Sequence, residues 1–306
     1  MDPSRTICQV VDSFNNTAVP YSKIVYSVKE ELGSPRTRRN KILDGDTRLK
    51  IAYDKISYDK IDLPLDIASS DIASLEIKSD VFNKNDLILA NIDAVYNFSG
   101  QEDGYLNPQN TKDFDFVSLD GEYLTYLQYR LPASRGFTLK APNIRKLDDR
   151  NLNFIFDQND IVNYVLEIVV GVDLVVSHKI DYKNNLLKAL KLCKPGSSFI
   201  TRVDETNDLT NLYYITALCF ESFSLFKPIT EDLNQPYSYI IAQGYRGNSI
   251  DWISILESED PKISIPEDFI SYINEYYKSL KNLKISLKEN PVQYNTYKCK
   301  AIWNIF

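Results

Sequence analysis

The chain has 306 residues, a formal net charge of −7 and a single histidine. One histidine excludes metal or catalytic sites that need two, and the acidic balance argues against a protein that coats nucleic acid non-specifically, although a local basic groove stays compatible with it. The four cysteines, at positions 8, 193, 219 and 299, form no CxxC pair and indicate a reducing compartment. Ten glycines are about half the average usage, which argues against a glycine-built cofactor loop.

Residues 1–110 show no regular pattern and are predicted to be an N-terminal extension or accessory region, with the polar, turn-rich segment 98–113 at its boundary. The only dense basic run, SPRTRRNK at 34–41, fits a solvated loop or a contact to RNA phosphate or to an acidic partner. The segment IASLEIKSDVF at 72–82 fits a helix or a strand. The first residues are charged early and lack the apolar run of a signal peptide.

Residues 111–306 are predicted to form one domain, because strand and helix patterns alternate along most of it. The predicted elements are a strand at 114–119, a helix at 122–131, strands at 135–141 and 172–177, a helix, a Pro-Gly stop and a strand within 184–203, a helix and a strand within 211–228, and a strand at 238–247. This alternation favours an α/β fold with a doubly wound, mostly parallel sheet flanked by helices.

An amphipathic helix is predicted near the C-terminal end, at 266–290, where it packs on the sheet domain or binds a partner. The longest apolar run, 164–176, contains Glu167 and Asp173 and is too short to span a membrane. A cytoplasmic protein without membrane contact is therefore expected. The many Asn, Ile, Lys and Tyr residues suggest an AT-rich genome and fit a viral source.

Two segments carry a resemblance to a known family: YLQYRLPASRGFTLKAPN at 126–143 and LYYITALCFESFSLFKPITEDLNQPYSYIIAQGYRG at 212–247. Together they resemble the FtsJ/RrmJ-like RNA 2′-O-methyltransferases, and among these the mRNA cap methyltransferases. The resemblance covers about residues 114–250, and the helix at 266–288 is similar to the closing helix of the family. It implies a Rossmann-like methyltransferase fold.

The family resemblance also implies a definite chemistry, in which S-adenosylmethionine donates a methyl group to a ribose 2′-hydroxyl. A Lys-Asp-Lys-Glu set orients and polarises the hydroxyl, with one lysine of lowered pKa. A glycine-rich GPGGF turn lets the backbone approach the cofactor.

The chain departs from the family pattern at the cofactor turn. Where GPGGF is expected, the sequence has Leu119, Asp120, Gly121, Glu122 and Tyr123. One glycine remains, and the Glu122 side chain is expected to crowd the cofactor and to place negative charge near its carboxylate. A functional cofactor loop is therefore not predicted here.

The positions that match the family tetrad are Lys78, His178, Arg202 and Tyr237. His178 stands where the strand-end aspartate is expected, and Tyr237 stands where the glutamate is expected. Arg202 replaces the central lysine and cannot lose its proton at working pH. The segments that form the predicted strands and helices thus match the family, whereas the residues at the reactive positions are replaced.

The leading hypothesis is therefore a catalytically inactive methyltransferase-like subunit without a cofactor, which supports or stimulates a protein partner, as a heterodimer, in mRNA capping or transcription. Its role is similar in kind to that of the small subunit of poxvirus-type mRNA capping enzymes. One alternative is an active, S-adenosylmethionine-dependent cap 2′-O-methyltransferase with a divergent site, in which Asp160 or Asp120 meets the cofactor. The other is a structural protein that binds RNA.

Overall fold

The computed structural model describes residues 82–96, 98, 114–139, 151–155, 161–228, 230–231, 235–247, 252–257 and 263–289. Within these ranges the strands are β1 (Asp115–Ser118), β2 (Arg135–Leu139), β3 (Leu152–Ile155), β4 (Val172–Ser177), β5 (Cys193–Asp204), β6 (Phe220–Phe226) and β7 (Tyr237–Tyr245). The helices are α1 (Lys84–Tyr96), α2 (Leu124–Arg130), α3 (Ile161–Ile168), α4 (Tyr182–Leu192), α5 (Thr210–Cys219), α6 (Trp252–Glu257) and α7 (Glu267–Glu289).

The seven strands form one sheet in the order β3-β2-β1-β4-β5-β7-β6. Strands β1 to β5 pair in parallel, and β7 runs antiparallel between β5 and β6. This confirms the predicted α/β fold, a mostly parallel sheet flanked by helices with the Rossmann-like methyltransferase arrangement. The strand order reverses between β1 and β4, and sheets of this kind bind ligands beyond the carboxyl ends of the strands at such a switch point.

The centre of the sheet is apolar because its strands are covered on both faces. In β4, Leu174, Val175 and Val176 are each 0% exposed, and the strand pairs with β1 on one side and β5 on the other. A short continuous run of β-branched residues is typical of such a strand. The sheet is closed at the β6 edge by α7, where the Tyr272 hydroxyl accepts a hydrogen bond of 3.1 Å from the Leu225 amide.

Helix α1 corrects the prediction that the chain is irregular through residue 110. Nine of its thirteen residues are buried, including Leu87, Ile88, Leu89 and Ile92. A helix buried on nearly all sides has no polar stripe, so its sequence lacks the amphipathic period from which helices are predicted. The division of the chain at residues 110 and 111 stays a prediction, because the segment around it lies outside the described residues.

The structure also corrects the prediction that Pro195 and Gly196 form a stop between α4 and β5. Helix α4 ends at Leu192, and Pro195 and Gly196 lie inside β5, with Gly196 at φ +88°. The remaining predicted helices and strands between 114 and 289 are found within a few residues of their expected bounds. Strand β3 and helices α3 and α6 are short elements that the sequence did not predict.

A reciprocal pair of hydrogen bonds begins helix α1. The Asn83 side chain accepts from the Asp86 amide at 2.9 Å, and the Asp86 carboxylate accepts from the Asn83 amide at 3.1 Å, which is a capping box. The other carboxylate oxygen of Asp86 accepts from the Tyr126 amide in α2 at 3.1 Å. Asp86 thus joins the two helices, and its burial raises the pKa of its carboxyl to about 6 despite these hydrogen bonds.

Stability is expected to fall with rising pH because of Asp86. Its pKa in the folded chain lies above the ordinary value of 3.8, so the native state holds the proton more tightly. This contribution is fully present below that ordinary value and is lost as pH rises through about 6. Relative to wild type, Asp86→Asn should gain about 2–3 kcal/mol between pH 4 and pH 7. Urea unfolding of both proteins across this range measures the difference, in which pH-independent costs cancel.

Asp208 provides a control of opposite sign. Its carboxylate accepts hydrogen bonds from the Thr210 amide and hydroxyl, at 3.1 and 2.8 Å, and these lower the pKa of Asp208. Its stabilising contribution is present above the ordinary pKa and is lost as pH falls through the lowered value. Asp208→Asn should therefore show no gain between pH 4 and pH 7. Parallel curves for wild type and Asp86→Asn would contradict the assignment to Asp86.

Among the described helices, none combines the length and the apolar character that a membrane crossing requires.

Candidate functional site

The candidate site lies at the switch point, where the chain leaves β1 and β4. Residues 119–123 follow β1, and His178 follows β4, so both departures from the family pattern meet at one place. The Leu119 amide donates to the Val176 carbonyl at 2.9 Å, which extends the β1–β4 pairing into the turn. The sheet order thus explains why residues more than fifty positions apart in sequence form one cluster.

Asp120 ties the end of β1 to the end of β4. One of its carboxylate oxygens, Oδ2, accepts hydrogen bonds from the His178 amide at 2.6 Å, the Lys179 amide at 2.8 Å and the Ser177 hydroxyl at 3.0 Å. The other, Oδ1, accepts from the Glu122 amide at 3.2 Å. The carboxylate is therefore fully engaged within the chain.

Tyr123 has an unusual backbone for a bulky residue. Its φ is +67°, in the left-handed region, where large side chains are outliers. Gly121, two residues earlier, has φ +82°. The turn thus has the left-handed backbone that favours glycine at two positions, one of which is a tyrosine. The Tyr123 side chain is almost fully buried, with 1% exposed.

The His178 imidazole has partners at both nitrogens. Nδ1 lies 2.9 Å from the Tyr123 hydroxyl and 3.2 Å from the Tyr239 hydroxyl, and Nε2 lies 3.0 Å from Arg202 Nη1. A guanidinium can only donate, so Nε2 accepts and the proton of the neutral ring is on Nδ1. Burial and the Arg202 charge lower the pKa of His178 to about 4, so the ring is neutral at pH 7.

Arg202 connects the histidine to a buried carboxylate. Its Nη2 lies 3.5 Å from Glu231 Oε2, and Lys84 Nζ lies 3.7 Å from Glu231 Oε1. Glu231 is 3% exposed and also accepts from the Tyr239 hydroxyl at 3.3 Å. The Arg202 guanidinium stacks over the Tyr237 ring, 3.8 Å from its centroid, in a cation–π contact.

The residues present do not fit S-adenosylmethionine, which the fold family implies. The Asp120 carboxylate takes the two consecutive amides at the end of β4, so neither amide can donate to a molecule bound beside the turn. The Tyr123 ring lies edge-on to His178, with ring centroids 5.6 Å apart, and fills the space between the two loops.

The structure brings together three of the four positions that match the family tetrad. His178, Arg202 and Tyr237 form one chain of contacts, whereas Lys78 lies outside the described residues. Asp160, the other candidate for cofactor contact, also lies outside them. The Glu122 carboxylate accepts a hydrogen bond of 2.9 Å from the Asn85 side chain in α1, so it is engaged by that helix.

Three members of the cluster were not predicted from the sequence: Lys84, Glu231 and Tyr239. Glu231 lies six residues before Tyr237, in the connection between β6 and β7, and its carboxylate lies 3.5 Å from Arg202 Nη2. Lys84, the first residue of α1, places its ammonium group 3.7 Å from Glu231 Oε1.

Within the described ranges, no group of three or more His, Cys, Asp or Glu side chains is arranged to hold a metal ion. Cys193 and Cys219 are buried free thiols, and burial raises the pKa of Cys219 to about 12, so it is protonated and unreactive.

Comparison with known proteins returns neither a matching protein-family model nor a matching curated protein. Among solved structures, a ribosomal RNA methyltransferase from Plasmodium falciparum is similar, with 14% identity over 54% of this chain and 99% of that chain, at a TM-score of 0.40. The Methanococcus jannaschii fibrillarin pre-rRNA processing protein is 13% identical over 44% of this chain and 68% of that chain, with a TM-score of 0.35. An O-methyltransferase family protein from Burkholderia thailandensis is 14% identical over 52% of this chain and 56% of that chain, with a TM-score of 0.35. The assignment of a methyltransferase-like fold rests on the sheet order of this chain.

Proposed function

We propose that the chain is a methyltransferase-fold subunit without methyltransferase activity, which binds and stimulates a partner in mRNA capping or RNA processing. One observation carries the proposal: both ring nitrogens of His178 are engaged inside the chain, by Arg202 and by two tyrosines. The Nε2 lone pair accepts from Arg202, so it is not available to a substrate hydroxyl. Arg202 itself cannot serve as a lysine of lowered pKa, because a guanidinium stays charged.

The misfit with S-adenosylmethionine supports the same proposal. A methyl transferase must admit its donor at the switch point, and Asp120 and Tyr123 occupy that place in this chain. Loss of one reactive position could reflect a changed mechanism. Here Asp120 of the turn, His178 and Arg202 all bond to other residues of the same chain. This indicates that the fold serves to bind a partner.

Exposed apolar side chains on one helix support a protein partner. Tyr164, Leu166 and Ile168 of α3 are 38%, 42% and 42% exposed, and Val170 just beyond the helix is fully exposed. Tyr164 and Ile168 are four positions apart and therefore lie on the same side of α3, and exposed apolar side chains that lie together on a protein surface mark a contact for another protein. The partner we propose is the catalytic subunit of a cap methyltransferase, joined to this chain as a heterodimer.

Calorimetric titration of S-adenosylmethionine into the purified chain tests the inactive assignment, and we expect no binding heat. Addition of the chain to a cap methyltransferase subunit should raise the rate of cap methylation. Ile168→Glu should weaken this stimulation with little change in melting temperature, and Asn163→Glu, on an exposed polar position of the same helix, is the matched control. Micromolar cofactor binding, or no effect on any capping subunit, would contradict the proposal.

A second candidate is an active cap 2′-O-methyltransferase with a divergent site, and one observation favours it. Lys84, Glu231 and Arg202 form a cation–carboxylate–cation row at the carboxyl ends of the strands. Such a row resembles the alternating charges of the family tetrad. Methylation of capped RNA by the chain alone, lost in Lys84→Ala and Arg202→Ala, would establish this candidate and exclude the first.

A further inference from the structure

We infer that Asp120 and Tyr123 are internal ligands of the switch-point crevice, whose side chains occupy the place of a bound small molecule and hold β1, β4 and α2 together. The inference deepens the proposed function and rests on it in one respect, since a chain that binds S-adenosylmethionine would need this space. The turn at residues 119–123 then has a structural role: the residues that replace the glycine-rich pattern stabilise the fold.

The backbone of Tyr123 is the first observation. It is the only non-glycine residue with positive φ in the described part of the chain. The left-handed conformation is unfavourable for a residue with a Cβ atom, so its surroundings must hold it. The carbonyl of Tyr123 accepts from the Leu127 amide at 3.0 Å and begins helix α2, so the turn cannot relax without moving the helix.

The Tyr123 side chain is the second observation. Its ring is 1% exposed and edge-on to His178, and its hydroxyl lies 2.9 Å from the imidazole Nδ1. The phenol ring thus has the contacts expected of a small aromatic ligand: burial in the core and polar partners, His178 and Tyr239, at its hydroxyl end. Burial raises the pKa of the Tyr123 hydroxyl well above its usual value, so this hydroxyl stays protonated.

The Asp120 carboxylate is the third observation. Two consecutive amides, those of His178 and Lys179, converge on its Oδ2 at 2.6 and 2.8 Å. Successive backbone amides that point at one place form an anion-binding arrangement. In this chain a side chain from the neighbouring strand supplies the anion. The Tyr123 ring therefore occupies the aromatic part of the crevice, and the Asp120 carboxylate occupies the anion-binding part.

The backbone part of the inference is tested with Tyr123→Gly and Tyr123→Ala. Glycine tolerates the left-handed conformation, so the glycine variant should have the larger folding equilibrium constant, by about fivefold. The matched control is Tyr213, an equally buried tyrosine inside helix α5, where the alanine variant should be the more stable one. Urea unfolding of the four variants measures the order.

The side-chain part is tested by rescue with phenol. Removal of the ring in Tyr123→Gly leaves a crevice with His178 at its end, and added phenol should fill it. At ten times its dissociation constant, phenol should raise the folding equilibrium constant about tenfold. Toluene, which has similar size and no hydroxyl, should be less effective because it cannot replace the contact of the Tyr123 hydroxyl with His178 Nδ1 and leaves Tyr239 as the one hydroxyl near that nitrogen. Tyr123→Phe, which retains the ring, should show no phenol rescue.

NMR gives a readout that does not depend on stability, because His178 is the only histidine of the chain. In the wild type the imidazole should carry its proton on Nδ1 and show no titration between pH 5 and pH 8. In Tyr123→Gly, phenol should shift the imidazole resonances and toluene should shift them less. A wild-type imidazole protonated on Nε2, or titrating near pH 6.5, would overturn the inference.

The remaining outcomes separate this inference from the proposed function. If Tyr123→Ala is as stable as Tyr123→Gly, or if phenol leaves Tyr123→Gly unchanged, the internal-ligand inference is wrong and a partner-stimulating role is unaffected. If the chain fails to stimulate any capping subunit while the glycine preference and phenol rescue are found, the proposed function is wrong and the internal ligands stand.

Discussion

Asp93→Asn should destabilise the folded chain by about 3–5 kcal/mol, because it leaves a buried guanidinium without its carboxylate. Asp93 and Arg130 are 2% and 7% exposed, and Arg130 Nε lies 3.2 Å from Asp93 Oδ2. The same oxygen accepts from the Tyr126 hydroxyl at 2.8 Å. The pair joins α1 to α2, the helix that begins just after Tyr123, so its loss also weakens the support of the candidate site.

The matched control for Asp93→Asn is Asp115→Asn. Asp115 forms two hydrogen bonds with Arg135, at 2.9 and 3.0 Å, but the Arg135 side chain is 45% exposed. Water screens this pair, so its loss should cost at most about 1 kcal/mol. Urea unfolding of both variants gives the comparison.

A double-mutant cycle sharpens the prediction for the buried pair. Arg130→Met removes the buried charge, so Asp93→Asn should cost less in the Arg130→Met background than in the wild type. Equal costs in the two backgrounds would show that Asp93 does not stabilise the chain through Arg130. A cost below about 1 kcal/mol for Asp93→Asn in the wild type would show that the pair is no stronger than a surface pair.

The fold could be predicted from the sequence where one physical signal dominated. The apolar run of β4 and the amphipathic helix α7 have unambiguous patterns, and both are found at their expected positions. Helix α1 could not be predicted, because burial on nearly all sides removes the period that distinguishes a helix. Sheet order required the family resemblance, since alternation of strands and helices does not fix which strands are neighbours.

The candidate site was predictable only as a set of positions. Sequence motifs placed His178, Arg202 and Tyr237 on strand ends, and the structure brings these three together. Motifs do not report contacts between distant segments, so the carboxylate of Glu231 and the hydroxyl of Tyr239 were missed. The positive φ of Tyr123 was equally hidden, because a tyrosine in sequence predicts the ordinary right-handed or extended backbone.

Lys227 carries the second large effect that we expect, because its ammonium group is completely buried. The side chain is 0% exposed and lies at the end of β6. Its Nζ donates to the Gln235 carbonyl at 2.6 Å and to the Tyr237 carbonyl, and lies 3.9 Å from Glu205 Oε1. These contacts hold the connection between β6 and β7 in place and with it the start of β7, where the Tyr237 ring stacks on Arg202.

Lys227→Met should therefore destabilise the folded chain by about 3 kcal/mol, since it removes a buried ammonium that donates to two carbonyls and leaves the partly buried Glu205 without this cation. The matched control is Lys191→Met, which removes an exposed ion pair with Glu257 and should change stability by at most about 0.5 kcal/mol. Urea unfolding measures both. The His178 resonances should also shift in Lys227→Met and not in Lys191→Met, because Arg202 connects Tyr237 to the imidazole. A destabilised Lys227→Met with unchanged His178 resonances would show that the lysine stabilises the strand connection without positioning the site.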